Sequence, residues 1–243
     1  MRPSGSEPES LAEGTLISHL LELRTRLLHT AVAVMVVFVP LAFLSNQLFT
    51  LVAQPLIEKL PEGTSIIATS VVAPFMTPLK LSLIAAIFVA MPYILYQAWA
   101  FVAPGLYRHE KRFALPLFAS SVILFYAGVA FAYFIVFPLM FAFLTATAPE
   151  GVRMMTDMAN YLDFALLLFF AFGIAFEMPV ATVLLVATGL VKVESLRKNR
   201  GYVLLGIFVV AAFLTPPDAI SQTFMAVPMY ILYELGIVLS QLL

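Results

Sequence analysis

No cysteine occurs in the 243-residue chain, which excludes disulfides, thiolate-bound metals and thiol nucleophiles. Charge is scarce too. Asp, Glu, Lys and Arg make up 11% of residues, where soluble domains carry about 25%. The net charge of -1 gives no reason to expect a nucleic-acid partner. The three histidines, His19, His29 and His109, are scattered. There is no phosphate-binding loop, dinucleotide fingerprint, HExxH pair or Cys/His cluster, and no Ser/His/acid set can be assembled. The chain therefore offers no catalytic residues, no metal site and no cofactor, and an enzyme is not expected.

What is present is apolar. The hydrophobic fraction is 62% and the mean hydropathy +1.01. A soluble fold of this composition would expose apolar surface far beyond the few hundred Å² normally tolerated. The apolar runs are continuous rather than alternating, so the expected class is an all-α polytopic membrane protein and not a barrel.

Read along the chain, residues 1–15 are a polar, acidic stretch lacking the basic and apolar regions of a cleaved signal, and are expected to form a disordered cytoplasmic leader. Residues 16–243 form one membrane domain. Residues 18–29 have leucines at helical spacing, with Glu22, Arg24 and Arg26 turned away, and read as a short interfacial helix. Spans are expected at about 27–49, 79–101, 113–144, 161–190, 201–214 and 219–241. Pro40 is a kink candidate in the first. Residues 50–77 are broken by prolines, Pro55 among them, and by Gly63; they read as short interfacial helices, with residues 64–71 turning back towards the membrane.

The third run has 32 uncharged residues, about 48 Å of helix against about 30 Å of hydrocarbon. It must tilt, bend or project. The fifth has only 14 residues, about 21 Å, short enough by length alone for a re-entrant element. Asp157 or Asn160 is placed to cap the fourth.

Lysine and arginine fix the orientation. With the segment around Arg108, Lys111 and Arg112 inside, ten basic residues fall on the inner side, and only Lys59, Lys80 and Arg153 on the outer. Short cytoplasmic loops carry that excess. Six crossings then leave both termini in the cytoplasm.

Four places hold candidate chemistry. Glu22 and Glu110 lie on the inner surface among basic residues, as paired carboxylates suited to guanidinium capture; a lone carboxylate there also reads as a solvated loop face. Trp99, Phe101 and Tyr107 line a groove or form an ordinary interfacial belt. Glu177 sits well inside a span and must face protein, water or a polar partner. It is a proton relay, an ion site or an anchor for another subunit's helix, and the near-absence of other buried ionisable groups favours the anchor. At the outer tip, Thr215, Pro216, Pro217 and Asp218 make a turn in which Asp218 caps the last helix, with Gln222 one turn on.

Several long segments together resemble a known family. They are HLLELRTRLL at 19–28, SVVAPFMTPLKL at 70–81, ILYQAWAFVAPGLYRHEKR at 94–112, FAYFIVFPLMFAFL at 131–144, APEGV at 148–152, AFGIAFEMPVA at 171–181 and LTPPDAISQTFMAVPMY at 214–230. Over nearly its full length the chain is similar to TatC, the multi-spanning core of the bacterial twin-arginine protein translocase. The resemblance implies a cupped six-helix fold with short fifth and sixth helices in the bacterial cytoplasmic membrane. It implies a receptor and scaffold that exports folded proteins using the proton-motive force. Carried over, Glu22, Arg24, Phe101 and Glu110 form the signal-peptide recognition surface. Glu177, Gln222 and Met225 face the single-span partners TatA and TatB, while Pro55, Pro216, Pro217 and Asp218 are structural residues of the outer segments. Twin-arginine signal peptides, further TatC copies and membrane lipids complete the expected partners. The alternative is a proton-coupled small-solute transporter, which would move solute without partners.

Overall fold

In the computed structural model, the described residues are 7–57, 66–102, 111–146, 155–215 and 219–241. Apart from one isolated bridge between extended residues, their regular structure is helical. Five helical segments are long and apolar enough to cross a bilayer, and one shorter apolar helix accompanies them.

The first helix, α1 (Glu7–Phe43), has 37 residues. No proline falls between Glu9 and Val39, so the helix propagates through three segments expected to be separate. Residues 7–15 lie within α1. The expected interfacial helix at 18–29 is continuous with the first span. That span ends at Phe43, not 49. Pro40 lies in the last turn, where its missing N–H leaves one helical hydrogen bond unmade. The chain tightens there, with Leu44 N–H donating to the Leu41 carbonyl at 3.0 Å. It restarts as α2 (Ser45–Ile57), a short helix of the expected outer kind.

The second span, α3 (Ala73–Val102), begins earlier than expected because Pro74 falls in the first turn, where its lost donor is not missed. It packs along α1. Ser82, wholly buried, donates to the Leu41 and Pro78 carbonyls, both at 3.1 Å.

The long third run is interrupted by a π-helical turn. It is α4 (Lys111–Phe131), a π-helical turn (Ala132–Val136) and α5 (Phe137–Ala146). The widened turn lies immediately before Pro138, which cannot donate and whose ring crowds the carbonyl four residues back. The Phe137 N–H reaches back five residues to the Ala132 carbonyl.

The fourth run is likewise two helices, α6 (Met158–Ala175) and α7 (Met178–Ala187). Pro179 would clash with the carbonyl of Ala175, so α6 ends there, and Phe176 and Glu177 form the joint. Gly189, in the left-handed region at φ 71°, ends the α7 turn. The short α8 (Val193–Lys198) leads to α9 (Arg200–Leu214) and α10 (Ala219–Ser240). At 15 residues α9 spans only about 22 Å.

The core lies where α5, the π turn, α6 and α10 meet. Phe137, Met140, Leu162, Leu168, Phe172 and Met225 are fully buried there. Elsewhere large apolar side chains face outward. Phe43 and Phe213 are each 84% exposed, as a hydrocarbon solvent permits. Close helix contact depends on small residues. A Cβ on Gly128 would lie 2.4 Å from the Phe172 carbonyl oxygen, and one on Gly173 2.7 Å from the Phe125 ring, so two glycines let α4 and α6 touch reciprocally.

At the start of α6, Asp157 joins two segments. One oxygen caps α6, accepting from the Ala159 and Asn160 amides, both at 3.0 Å. The other accepts from the Thr69 hydroxyl at 2.6 Å and the Thr69 amide at 3.0 Å. Ile67 N–H donates to the Thr156 carbonyl and Met158 N–H to the Ile67 carbonyl. Lys80 and Asp163 add an exposed ion pair at 2.5 Å.

Two outcomes follow from this packing. Gly128→Ala forces apart a backbone contact and should lower stability by about 1–3 kcal/mol. Gly206→Ala, which meets nothing within 4 Å, should leave the unfolding midpoint in detergent unchanged. Hydrogen bonds from the Thr69 hydroxyl and then the Asn160, Thr69 and Ala159 amides hold the Asp157 carboxyl down at about 2. Its contribution is complete above the unfolded carboxyl value of about 4. It is lost as pH falls from there through about 2. Hydrogen exchange at Thr69 and Ala159 should accelerate over that window. In Asp157→Asn it should already be fast at neutral pH.

Candidate functional site

Between the middle of α1 and the last turns of α3, a cavity of about 260 Å³ is lined by Leu23, Arg26, Leu27, Gln97, Ala98 and Phe101, among others. Helical spacing puts Glu22 and Arg26 on one face of α1, one turn apart. Their side chains pair at 2.6 Å, with Arg26 24% and Glu22 39% exposed. The Arg26 guanidinium also donates to Gln97 Oε1 at 3.1 Å and to the Ala100 carbonyl at 3.2 Å. Gln97 in turn donates from Nε2 to the Tyr93 hydroxyl at 2.7 Å. One arginine thus ties α1 to the last turns of α3. Phe101, half-buried, stacks on the His19 ring at 4.1 Å between centroids.

The fold therefore gathers Glu22 and Phe101 at one end, bridged by groups that no sequence argument singled out. Arg24 points away, exposed, with no ion pair among the described residues. Glu110 lies outside the described residues. The unforeseen members are Arg26, Gln97, Tyr93 and His19. Only the four-residue spacing from Glu22 to Arg26 signalled any of them in advance.

A second cavity, also of about 260 Å³, is lined by Leu95, Ala98, Trp99, Ser121, Glu177, Val180, Ala181 and Leu184. Ala98 lines both, so the two cavities adjoin across α3. Glu177 occupies the joint between α6 and α7, where Pro179 breaks the helix. Its Oε2 accepts from the buried Ser121 hydroxyl of α4. Its Oε1 is buried and has no hydrogen-bond partner among the described residues. A buried polar atom without a partner costs roughly 1–3 kcal/mol. Glu177 is thus equipped to receive a polar group entering the cavity. Ser121 was missed because a hydroxyl in a long apolar run carries no charge signal.

Glu234, the other acid within a late span, is answered internally. Its Oε2 accepts from Arg200 at 2.6 Å and its Oε1 from the Tyr230 hydroxyl at 2.9 Å. Gln222 is half-buried near the start of α10, whereas Met225 is fully buried in the core. Met225, one turn on from Gln222, is packed within the chain's own core. Gly236, which packs on Pro179 and Thr182 of α7, marks the Glu177 level. Gln222 is fourteen residues away, about 21 Å along the helix. Glu177 and Gln222 are thus separate features. Pro55 falls within α2; Pro216, Pro217 and Asp218 lie outside the described residues. Among the described residues no group of three or more His, Cys, Asp or Glu could hold a metal ion.

The sequence profile described as "Sec-independent protein translocase protein (TatC)" matches residues 18–228. The Sec-independent protein translocase protein TatC of Azotobacter chroococcum is 56% identical over 232 residues, 96% of this chain and 91% of that protein. Its counterpart in Escherichia coli K12 is 54% identical over 226 residues, 93% of this chain and 88% of that one. A crystal structure described as twin arginine translocase receptor TatC superposes with a TM-score of 0.82 at 37% identity, covering 92% of this chain and 98% of that chain. A match of this extent, over sequence and fold alike, shows that the chain belongs to the TatC family.

Proposed function

We propose that this chain is the twin-arginine signal-peptide receptor and scaffold of a Sec-independent translocase, a multi-pass protein of the bacterial inner membrane. It is not an enzyme; it exports folded proteins at the expense of the proton-motive force. The observation that carries the receptor reading is Glu22: a carboxylate at the same helix end as Phe101, with no hydrogen bond to its Oε2 among the described residues. Glu110, between α3 and α4 in the sequence, supplies the second acid, and Arg24 helps to orient the first. The ten-to-three bias of basic residues supports a cytoplasmic location for this surface and for both termini, with α9 as a sixth, short crossing.

Glu177 is the anchor for a single-span partner. Its uncommitted Oε1, beside an apolar cavity, suits a partner helix carrying one polar group, as expected of TatA or TatB. Gln222 belongs to the same partner-facing side at the outer end. A signal peptide docks at the inner surface, its apolar part enters beside Glu177, and partner helices assemble to let the cargo pass.

Glu22→Lys or Glu110→Lys should lower twin-arginine precursor binding in membrane vesicles about tenfold or more, the worth of a hydrogen bond to a charged group, while partner assembly persists. Full binding by both variants would remove the acid-capture reading. A photo-reactive residue at position 101 should crosslink a twin-arginine precursor and not its twin-lysine control. Glu177→Leu should deplete the single-span partners from the detergent-solubilised complex, and Glu177→Gln should retain them. Equal recovery from all three proteins would reject the anchoring role.

A further inference from the structure

The Glu22 carboxylate already holds a guanidinium. Arg26 donates to the same oxygen, Oε1, from Nε at 3.0 Å and Nη2 at 2.6 Å. This forked, planar contact is the one an arginine side chain offers and a lysine ammonium does not. The pair is partly exposed, so a ligand can reach it. Arg26 is also held from the other helix, by Gln97 Oε1 and the Ala100 carbonyl, and neither contact involves Glu22. Tyr93 engages the Gln97 amide nitrogen and so fixes the amide oxygen towards Arg26.

We propose that Arg26 is a built-in competitor, a resident guanidinium that occupies Glu22 until an incoming arginine exchanges with it. The inference rests on the reading of Glu22 as a receptor acid. Two features favour exchange over a permanent brace. Losing Glu22 would not strand the Arg26 charge, because its two acceptors on α3 remain. The Glu22–Arg26 contact is also a partly exposed pair one turn apart, a class weak enough for a ligand to open. The effect is a threshold. Every ligand that needs Glu22 has its affinity reduced by the fraction of receptor in which the acid is free. That factor is common to all of them, so Arg26 suppresses weak binding of cytoplasmic cations without setting the preference for arginine over lysine. The preference comes from the fork geometry that the ligand must reproduce.

The test is an equilibrium titration of the full chain, in membrane vesicles with its single-span partners, using a fluorescent twin-arginine precursor and its twin-lysine counterpart. Arg26→Gln should bind both more tightly, by about two- to fivefold, with the ratio between them unchanged. Arg26→Lys keeps the charge but cannot fork Glu22 while holding both α3 acceptors, and should show a smaller gain for both. The gain should persist at raised salt, where mere removal of a repelling charge is screened. Unchanged or weaker binding by a folded Arg26→Gln overturns the competitor, as does a gain that vanishes with salt. If Arg26→Gln does not accumulate, Arg26→Lys decides by the same criterion. A Glu22→Gln arm separates the two readings. Lost binding there with no gain from Arg26 variants removes only the competitor, whereas full binding there removes the receptor acid itself.

Discussion

In hydrocarbon no water replaces a lost hydrogen bond, and the rest of this structure depends on that constraint. Backbone groups are satisfied within helices, which is why the described spans are helical. Side-chain hydroxyls follow the same rule. Ser82, Thr182 and Ser240 donate to carbonyls of their own helices four residues back, so their presence in spans demands no partner. Glu177 stands apart from these. Its second oxygen has nothing to accept from among the described residues. The chain thus satisfies its routine polar groups locally and leaves one acid incompletely answered beside a cavity.

Prolines decide where the helices bend, and the bends decide where chemistry is presented. Pro40 ends α1 and turns the chain into α2. Pro138 accounts for the π-helical turn, which divides the long third run into two α-helical stretches. Pro179 opens the joint between α6 and α7, and Glu177 sits in it. A carboxylate at a joint has more freedom to face the cavity than one buried on a continuous helix face. Glycines do the converse work, letting α4 meet α6, and α10 meet α7, closely enough to hold the bent segments in register.

Much of this was legible in the sequence because the governing signals are local. The apolar runs coincide with the helices from α3 to α10 to within several residues, and Asp157 was one of two cap candidates, with Asn160. What was not legible was propagation and pairing. Nothing local announces that α1 runs unbroken from Glu7 to Phe43, since that follows from the absence of an interrupting proline and not from a positive signal. Pairing between helices was equally hidden. Arg26 with Gln97, His19 with Phe101 and Ser121 with Glu177 join residues between 56 and 82 positions apart, a separation to which periodicity and capping rules are blind. The burial of Met225 was hidden for a related reason. Its methionine chemistry fits a partner surface and a core equally well, and only the packing of α10 distinguishes them.

Glu177 and Glu234 make the functional argument by contrast. Both are acids in apolar helices of one chain, yet Glu234 has an arginine and a tyrosine turned towards it, while Glu177 has a single serine. A fold able to neutralise one acid so fully has the means to neutralise the other. Ser121 holds the Glu177 carboxyl in place without completing its hydrogen bonding, and the remaining oxygen borders a cavity that adjoins the Arg26 cavity across α3. Such an arrangement is unfavourable for the isolated chain, and that cost is what supports the proposed anchoring of a partner helix at Glu177. Under the proposed reading, the two cavities, which share Ala98 in their lining, take two successive ligands: a cationic peptide beside Glu22 and an apolar helix with one polar group beside Glu177.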